Sequence, residues 1–303
     1  MRIASTQYQA IMNQSLQFNQ DKLSRLTQQM ASGQRVMLPS DDPVDNVRLS
    51  RLQREESAFT QYRDNIAAVQ IRLSKNEGYL QNMINDMMGG RDLLVWASDG
   101  GNAPADLQAM IQPLEALRDS LFYNANTIDQ EGRYVFSGTA TATAPMAYDK
   151  TQLPGARYSF VGNTNAQSVV VGNGITQVAN ENLKGLENLL NQLDKTIATI
   201  SAPTVDVNDP ATRAIVTANL SGFDDTMELL ASKIAVMGGT QNILKTLDAN
   251  HANVSLSNQN AINEIGQLDM AQAATELNGY QTALQATYKA YAKIGNLTLF
   301  AEL

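Results

Sequence analysis

The chain has 303 residues, enough for two or three modest domains, with 30 Asp and Glu against 22 Lys and Arg for a net charge of −8. An acidic balance with no Lys/Arg cluster argues against nucleic acid or an anionic membrane as a partner. The absence of Cys and the single His, His251, exclude disulfides, Cys nucleophiles, zinc sites of the Cys or His type, and any Ser-His-Asp triad not built on His251.

The N-terminus, Met1-Arg2-Ile3-Ala4-Ser5, has no apolar run behind it and does not read as a cleaved secretory signal. No stretch approaches the ~20 apolar residues of a membrane span. Export, if it occurs, must use another signal. The first element is an amphipathic helix with Ile11, Leu16, Phe18, Leu23, Leu26 and Met30 as its apolar face.

Proline punctuates the chain at 39, 43, 104, 113, 145, 154, 203 and 210, and the gaps between are where long helices can run. After Pro43, Leu52, Phe59, Ile66, Leu73, Leu80, Met87 and Leu94 recur every seventh residue, with Tyr62, Val69, Met83 and Ala97 in a second register. This is a coiled-coil-type seam. It predicts a helix over about 44–98, opened by Asp42 as cap, Pro43 at the first helical position and Asp45 at the positive dipole end. Such a helix would be ~80 Å long, so an elongated molecule is expected. A shorter helix over about 105–130 follows, with a bend or boundary at Pro113.

From about 133 to 180 the composition turns to Gly, Thr, Val and aromatics. Arg133–Ser137, Arg157–Val161 and Ser168–Val171 read as short strands, and Asn173-Gly174 as a hairpin turn. Helix resumes with Leu183, Leu186, Leu190, Leu193, Ile197 and Ile200, and a Pro/Asp/Asn linker over 203–210 ends it. A second long Pro-free helix carries Val216, Leu220, Phe223, Met227, Leu230, Ile234, Met237 and Leu244 on one face. Past Asp248 the stripe moves to Leu247, Val254, Ala261 and Leu268, a stutter in the repeat. The C-terminal apolar face is Met270, Ala273, Leu277, Tyr280, Leu284, Tyr288, Tyr291 and Ile294. Both terminal segments are rich in Gln, Asn, Ser, Thr and Ala, and a lone helix of that kind is marginal in water. The termini therefore need each other, or neighbouring subunits, to be ordered. The fold class is mainly α: an elongated bundle of long helices with coiled-coil seams, paired N- and C-terminal helices and a small inserted β domain.

Chemistry is hard to find. There is no P-loop, HExxH, EF-hand loop or nucleophile elbow, and Gly172-Asn173-Gly174 reads as a hairpin turn rather than a nucleotide loop. Asp41-Asp42 reads as a helix cap, and Glu55-Glu56 and Asp224-Asp225 as solvated helix faces. His251 reads as a packed or interface residue, and the methionines as core filling. No catalytic, metal or cofactor residue emerges, and an enzyme built on the β insertion would need a polar pocket around 133–180.

Three stretches resemble the flagellin superfamily. The run Leu23-Ser24-Arg25-Leu26-Thr27-Gln28-Gln29-Met30-Ala31-Ser32-Gly33-Gln34-Arg35-Val36, then Pro39-Ser40-Asp41-Asp42-Pro43, is similar to the flagellin pattern of amphipathic helix, Ser-Gly turn, basic-apolar pair and two Asp opening a long helix. Asp-Asp-Pro in place of Asp-Asp-Ala is closer to the hook-associated branch of that superfamily. Gly132-Arg133-Tyr134-Val135-Phe136-Ser137-Gly138 is similar to the segment that opens the β domain in that branch, and Leu268 to Leu303 is similar to the shared C-terminal helix.

The resemblance implies a structural subunit without cofactors, joining hook to filament as a ring built on its terminal helices. It implies residues 1–40 and 265–303 as an inner-tube domain, 41–132 and 181–264 as a long-helix bundle, and 133–180 as an outward β domain. It makes Ile11, Leu16, Phe18, Leu23, Leu26, Met30, Met270, Leu277, Tyr280, Leu284, Tyr288, Tyr291 and Ile294 the candidate subunit-interface residues, with Asp42 and Pro43 as the helix cap. Implied partners are further copies of the chain, the adjacent hook-associated junction protein, flagellin and an export chaperone. The implied location is the extracellular flagellum, reached through the flagellar type III apparatus. The main alternative is a filament flagellin, and a secreted coiled-coil adaptor is a more distant one.

Overall fold

The computed structural model describes residues 2–206 and 208–295. Side chains are described from residue 7 to residue 293, Val207 apart. In chain order the elements are α1 (Arg2–Ser32), α2 (Pro43–Ala97), α3 (Pro104–Ala109), α4 (Ile111–Ala125), β1 (Met146–Tyr148), β2 (Tyr158–Phe160), β3 (Ser168–Gly172), β4 (Ile175–Val178), α5 (Leu186–Ile200), α6 (Pro210–Gly266) and α7 (Met270–Gly295). Mainly α, with long helices and a small β insert, is the class the repeat pattern predicts. Two compact units divide the chain, residues 1–59 with 252–303, and residues 60–251. Both α2 and α6 contribute to each.

In the 60–251 unit the heptad positions of α2 are the core. Ile66, Leu73, Leu80, Met87 and Leu94 are buried, and so are Val69, Met83 and Ala97 of the second register. That register also contains Asn76 and Gly90, both buried and neither apolar in the usual sense. At Gly90 a Cβ would collide with Leu117 and come within 3.1 Å of Phe223, so glycine lets α4 and α6 approach α2 closely. On α6 the buried positions Val216, Phe223, Leu230, Met237 and Leu244 keep a strict spacing of seven. Within this unit α2 and α6 run antiparallel. Arg63 meets Asp248, Glu77 accepts from Gln241, and Arg91 meets Asp224, so numbers rise on one helix as they fall on the other.

The stripe past Asp248 differs from expectation. His251, Ser255 and Asn258 are buried, while Val254 is exposed. Polar residues continue the inward face there, which a search for apolar repeats passes over. The helix expected over 105–130 is two, broken at Met110 just before Pro113, which has no N–H to give and so sits in the first turn of α4. That region ends at Ala125, short of 130.

Residues 133–137 are not a strand. The Asp129 carboxylate accepts the N–H groups of Glu131 and Arg133, and Gly132 adopts φ +75°, so the chain turns tightly there. Only single bridges remain, Ile128 to Tyr134 and Ser137 to Asn182. The strands that form are two separate antiparallel pairs, β1–β2 and β3–β4. Asn173-Gly174 closes the second pair, with Gly174 at φ +71° as a tight hairpin turn requires. The register slips at Val171, a bulge between Val170 and Gly172. Long helices hold both carbonyls beside it. Asn65 of α2 donates to Val170 O at 2.8 Å, and His251 Nε2 of α6 donates to Val171 O at 2.8 Å. The single histidine is thus a buried support for the hairpin, its ring 5.7 Å from that of Tyr62.

The β1–β2 pair is tied to α4 and α5. Asn191 brackets Tyr158, accepting its N–H and donating to its carbonyl. The Tyr158 ring packs against Phe122 and Tyr148, and burial pushes its hydroxyl up to about 12 from an ordinary 10, against the pull of Arg118. A raised folded pKa stabilises the fold below the unfolded value and is lost as pH rises through the folded one. Stability should therefore fall by about 2–3 kcal/mol between roughly pH 10 and 12. Urea melts across that range should show this limb, and Tyr158→Phe should remove most of it.

Candidate assembly interface

The terminal unit begins with α1. Gly33 ends it at φ +70°, where a left-handed residue terminates a helix cheaply. The chain then pairs briefly with the segment before α7: Arg35 N–H donates to Gly266 O at 2.7 Å, and Leu268 N–H to Gly33 O at 2.9 Å. Asp269 starts α7 by accepting the N–H groups of Ala271 and Gln272 at 2.9 and 3.1 Å. With the end of α1 fixed beside the start of α7, the two helices pack antiparallel.

Arg35 fixes this corner. Its guanidinium bonds the Ile265 carbonyl at 2.9 and 3.0 Å and forms ion pairs with Asp42 and Asp45. Those partners, Asp45 first, raise its pKa against the cost of burial. Asp42 Oδ1 accepts the Asp45 N–H at 3.1 Å, and Pro43 is the first residue of α2. That N–H, with Arg35, holds the Asp42 carboxyl below its ordinary value. Asp41 accepts the N–H groups of Met37 and Leu38 at 3.0 Å and pairs with Arg25. The Leu38 N–H is the largest cause that lowers its pKa. The Asp-Asp pair is thus a turn-and-cap device.

The candidate interface residues fall on two faces. On α1, Met12, Leu16, Asn19, Leu23, Leu26 and Met30 are all at least partly withdrawn from solvent and are spaced alternately by four and three. On α7 the matching set is Ala273, Leu277, Tyr280, Leu284 and Thr287. This is an antiparallel heptad seam. Only Leu26, Ala273 and Leu284 are fully buried. Leu16, Leu23, Leu26, Met30, Leu277, Tyr280 and Leu284 therefore serve the pairing of the two helices. Ile11 and Phe18 lie off the seam, 59% and 58% exposed. Tyr8 shares their flank, and Lys22 sits 5.4 Å from the centre of the Phe18 ring. Met270, Tyr288 and Tyr291 are also exposed. The Ile294 side chain lies outside the described residues.

Sequence reasoning merged the two faces because it counted apolarity alone. It passed over Asn19 and Thr287, polar residues in the seam, and it assigned no role to Arg35 or Asp269. The spacing of four and three from Met12 to Met30 was the available signal. Among the described residues, no group of three or more His, Asp or Glu could hold a metal ion, and no helix is long and apolar enough to cross a membrane.

Residues 3–141 match the family model of the bacterial flagellin N-terminal helical region. The flagellar hook-associated protein 3 of Escherichia coli K12 is 30% identical over 290 residues, covering 90% of each chain. A solved structure described as a flagellar hook-associated protein, from Vibrio parahaemolyticus, is 32% identical with a TM-score of 0.67, over 75% of this chain and all of that one. The flagellar junction protein FlgL of Legionella pneumophila, 13% identical, shares the fold with a TM-score of 0.55 over 66% of this chain and 99% of its own. The chain belongs to the flagellar hook-associated protein 3 (FlgL) family of the flagellin superfamily.

Proposed function

We propose that this protein is a non-catalytic subunit of the junction between hook and filament, assembling as a ring through its terminal helices. The observation that carries the reading is the division of labour on α1 and α7. One face pairs the helices, while apolar side chains beyond it, Ile11 and Phe18 on α1 and Tyr288 on α7, stay exposed, as do Met270 and Tyr291 at the two ends of the α7 seam. A seam with so few fully buried residues is weak support for two helices of 31 and 26 residues, so neighbouring subunits supply the remaining burial. The hook-associated naming of the relatives and the junction naming of the Legionella protein support the location. In this reading residues 1–40 and 265–303 form the inner tube, 41–132 and 181–264 surround it, and 133–180 face outward. The adjacent hook-associated junction protein and flagellin are its neighbours. Export proceeds unfolded through the flagellar type III apparatus, with a chaperone on the C-terminal region, to the extracellular flagellum.

A clean gene deletion tests this. Electron microscopy should find hooks without filaments, and the culture medium should contain unassembled flagellin. Bare hooks with no secreted flagellin would point to the filament subunit, and normal filaments would refute both readings.

A further inference from the structure

The 60–251 unit carries a cleft of about 810 Å³ between the middle of α2 and the loop that runs from Ile128 to Val135. That volume lies within the ordinary range for small-molecule sites. One face of α2 presents Arg72, Lys75, Asn76 and Tyr79 to it, spaced as successive turns of a helix. Asn76 is only 2% exposed, yet its Nδ2 has no hydrogen-bond partner. A buried donor left unmet costs about 1–3 kcal/mol, so native proteins seldom keep one without a use.

The charges in the cleft are also unbalanced. The facing loop has two carboxylates, Asp129 and Glu131, both bonded to Arg133 at 3.1 and 2.6 Å, so with Arg72 and Lys75 three cations line the cleft against two anions. Arg72 reaches only a neutral group, the Gln167 amide oxygen, at 3.1 Å. Lys75 is exposed. A chain of net charge −8 thus keeps two cations and an unmet N–H donor together on one wall. The wall lies mid-helix and offers side-chain donors alone, without the free backbone N–H groups of a phosphate-binding loop. A carboxylate needs only the side-chain donors that are present. Tyr79, held edge-on to Phe136 at 6.2 Å, and Tyr134 add aromatic surface, and Gln130 adds an amide that suits hydroxyl groups.

We propose that this cleft binds a carboxylate-bearing saccharide of about disaccharide size, its carboxylate held by Arg72, Lys75 and the Asn76 amide. The site is independent of the junction reading and stands or falls without it. The test is calorimetric titration of the full-length protein with digalacturonate, its neutral methyl ester and glutarate. Digalacturonate should bind saturably, and the ester should bind about tenfold more weakly for want of the charge-assisted bonds. Lys75→Gln should weaken digalacturonate about tenfold with an unchanged melting curve. Asn76→Leu removes the unmet donor, so it should fold at least as stably and still lose binding. Three results would each overturn the proposal: no saturable binding of digalacturonate, binding indifferent to both substitutions, or glutarate binding as tightly as the saccharide. So would a crystal grown with digalacturonate that has only a water on the Asn76 amide.

Discussion

Asp194→Ala should lower the unfolding free energy by about 3 kcal/mol, the lower end of the 3–5 kcal/mol typical of removing one partner of a buried ion pair. Asp194 lies on α5 with its carboxylate 2% exposed. It stands 3.5 Å from Arg118 of α4 and 3.4 Å from Arg157 beside β2, and it accepts the Gly155 N–H at 3.1 Å. One side chain thus joins a helix, a loop and a hairpin, and its loss takes a partner from all three. The lower figure is expected because neither guanidinium would be left wholly alone. Arg118 also bonds Asp119 at 2.9 Å, and Arg157 is 27% exposed and can recover water. Burial works against the Arg118 charge, but the Asp119 hydrogen bond and the nearby negative groups outweigh it, and its pKa is raised. Asp194→Asn keeps an acceptor for Gly155 and should cost only about 1–2 kcal/mol. Urea denaturation at neutral pH, followed by circular dichroism, measures both. A loss under about 1 kcal/mol for the alanine variant would mean that water screens the network as it does a surface pair.

Nothing in the sequence marks Asp194. It occupies a helix whose Leu and Ile positions announce themselves, but its partners lie 39, 37 and 76 positions away along the chain at Gly155, Arg157 and Arg118. The same contrast runs through the fold. Ile66, Leu73, Leu80, Met87 and Leu94 are readable because burial along a long helix repeats every seven residues and apolar residues meet the demand. Asn76 and Gly90 meet it too, but for reasons set by their neighbours, a cleft in one case and the approach of Leu117 and Phe223 in the other. Strand propensity misled at Arg133–Ser137, where Asp129 and Gly132 offer the backbone a turn instead. It also missed β1, three residues that form a strand only because β2 lies opposite. On the terminal helices the apolar residues were visible, but their division between two faces was not. Apolarity says that a residue will be covered, and only the packed partner says by what.

That division gives the other large effect. Ile11→Glu with Phe18→Glu should leave the folded monomer nearly unchanged, within about 0.5 kcal/mol, because both side chains are already exposed and off the α1–α7 seam. In the ring proposed for it the same change should be severe. Each apolar side chain forfeits about 1.5–3 kcal/mol of burial, and each new carboxylate must be desolvated at the contact. The loss recurs at every subunit contact, so incorporation should fail rather than weaken. Gln20→Glu on α1 adds one such carboxylate at an exposed position away from the flank, and should assemble normally. Complementation of the deletion strain reads the outcome. The double variant should be recovered from the medium, which separates failed assembly from failed export, and the hooks should stay bare. Leu26→Ala should behave in the opposite order. Leu26 is 5% exposed and faces the seam, so its truncation should loosen the pairing of α1 with α7 in the monomer itself, measurable as faster amide exchange along both helices. Normal filaments from the double variant would mean that the exposed flank is not the ring contact, and that the seam face, opened and re-paired between subunits, carries the assembly instead.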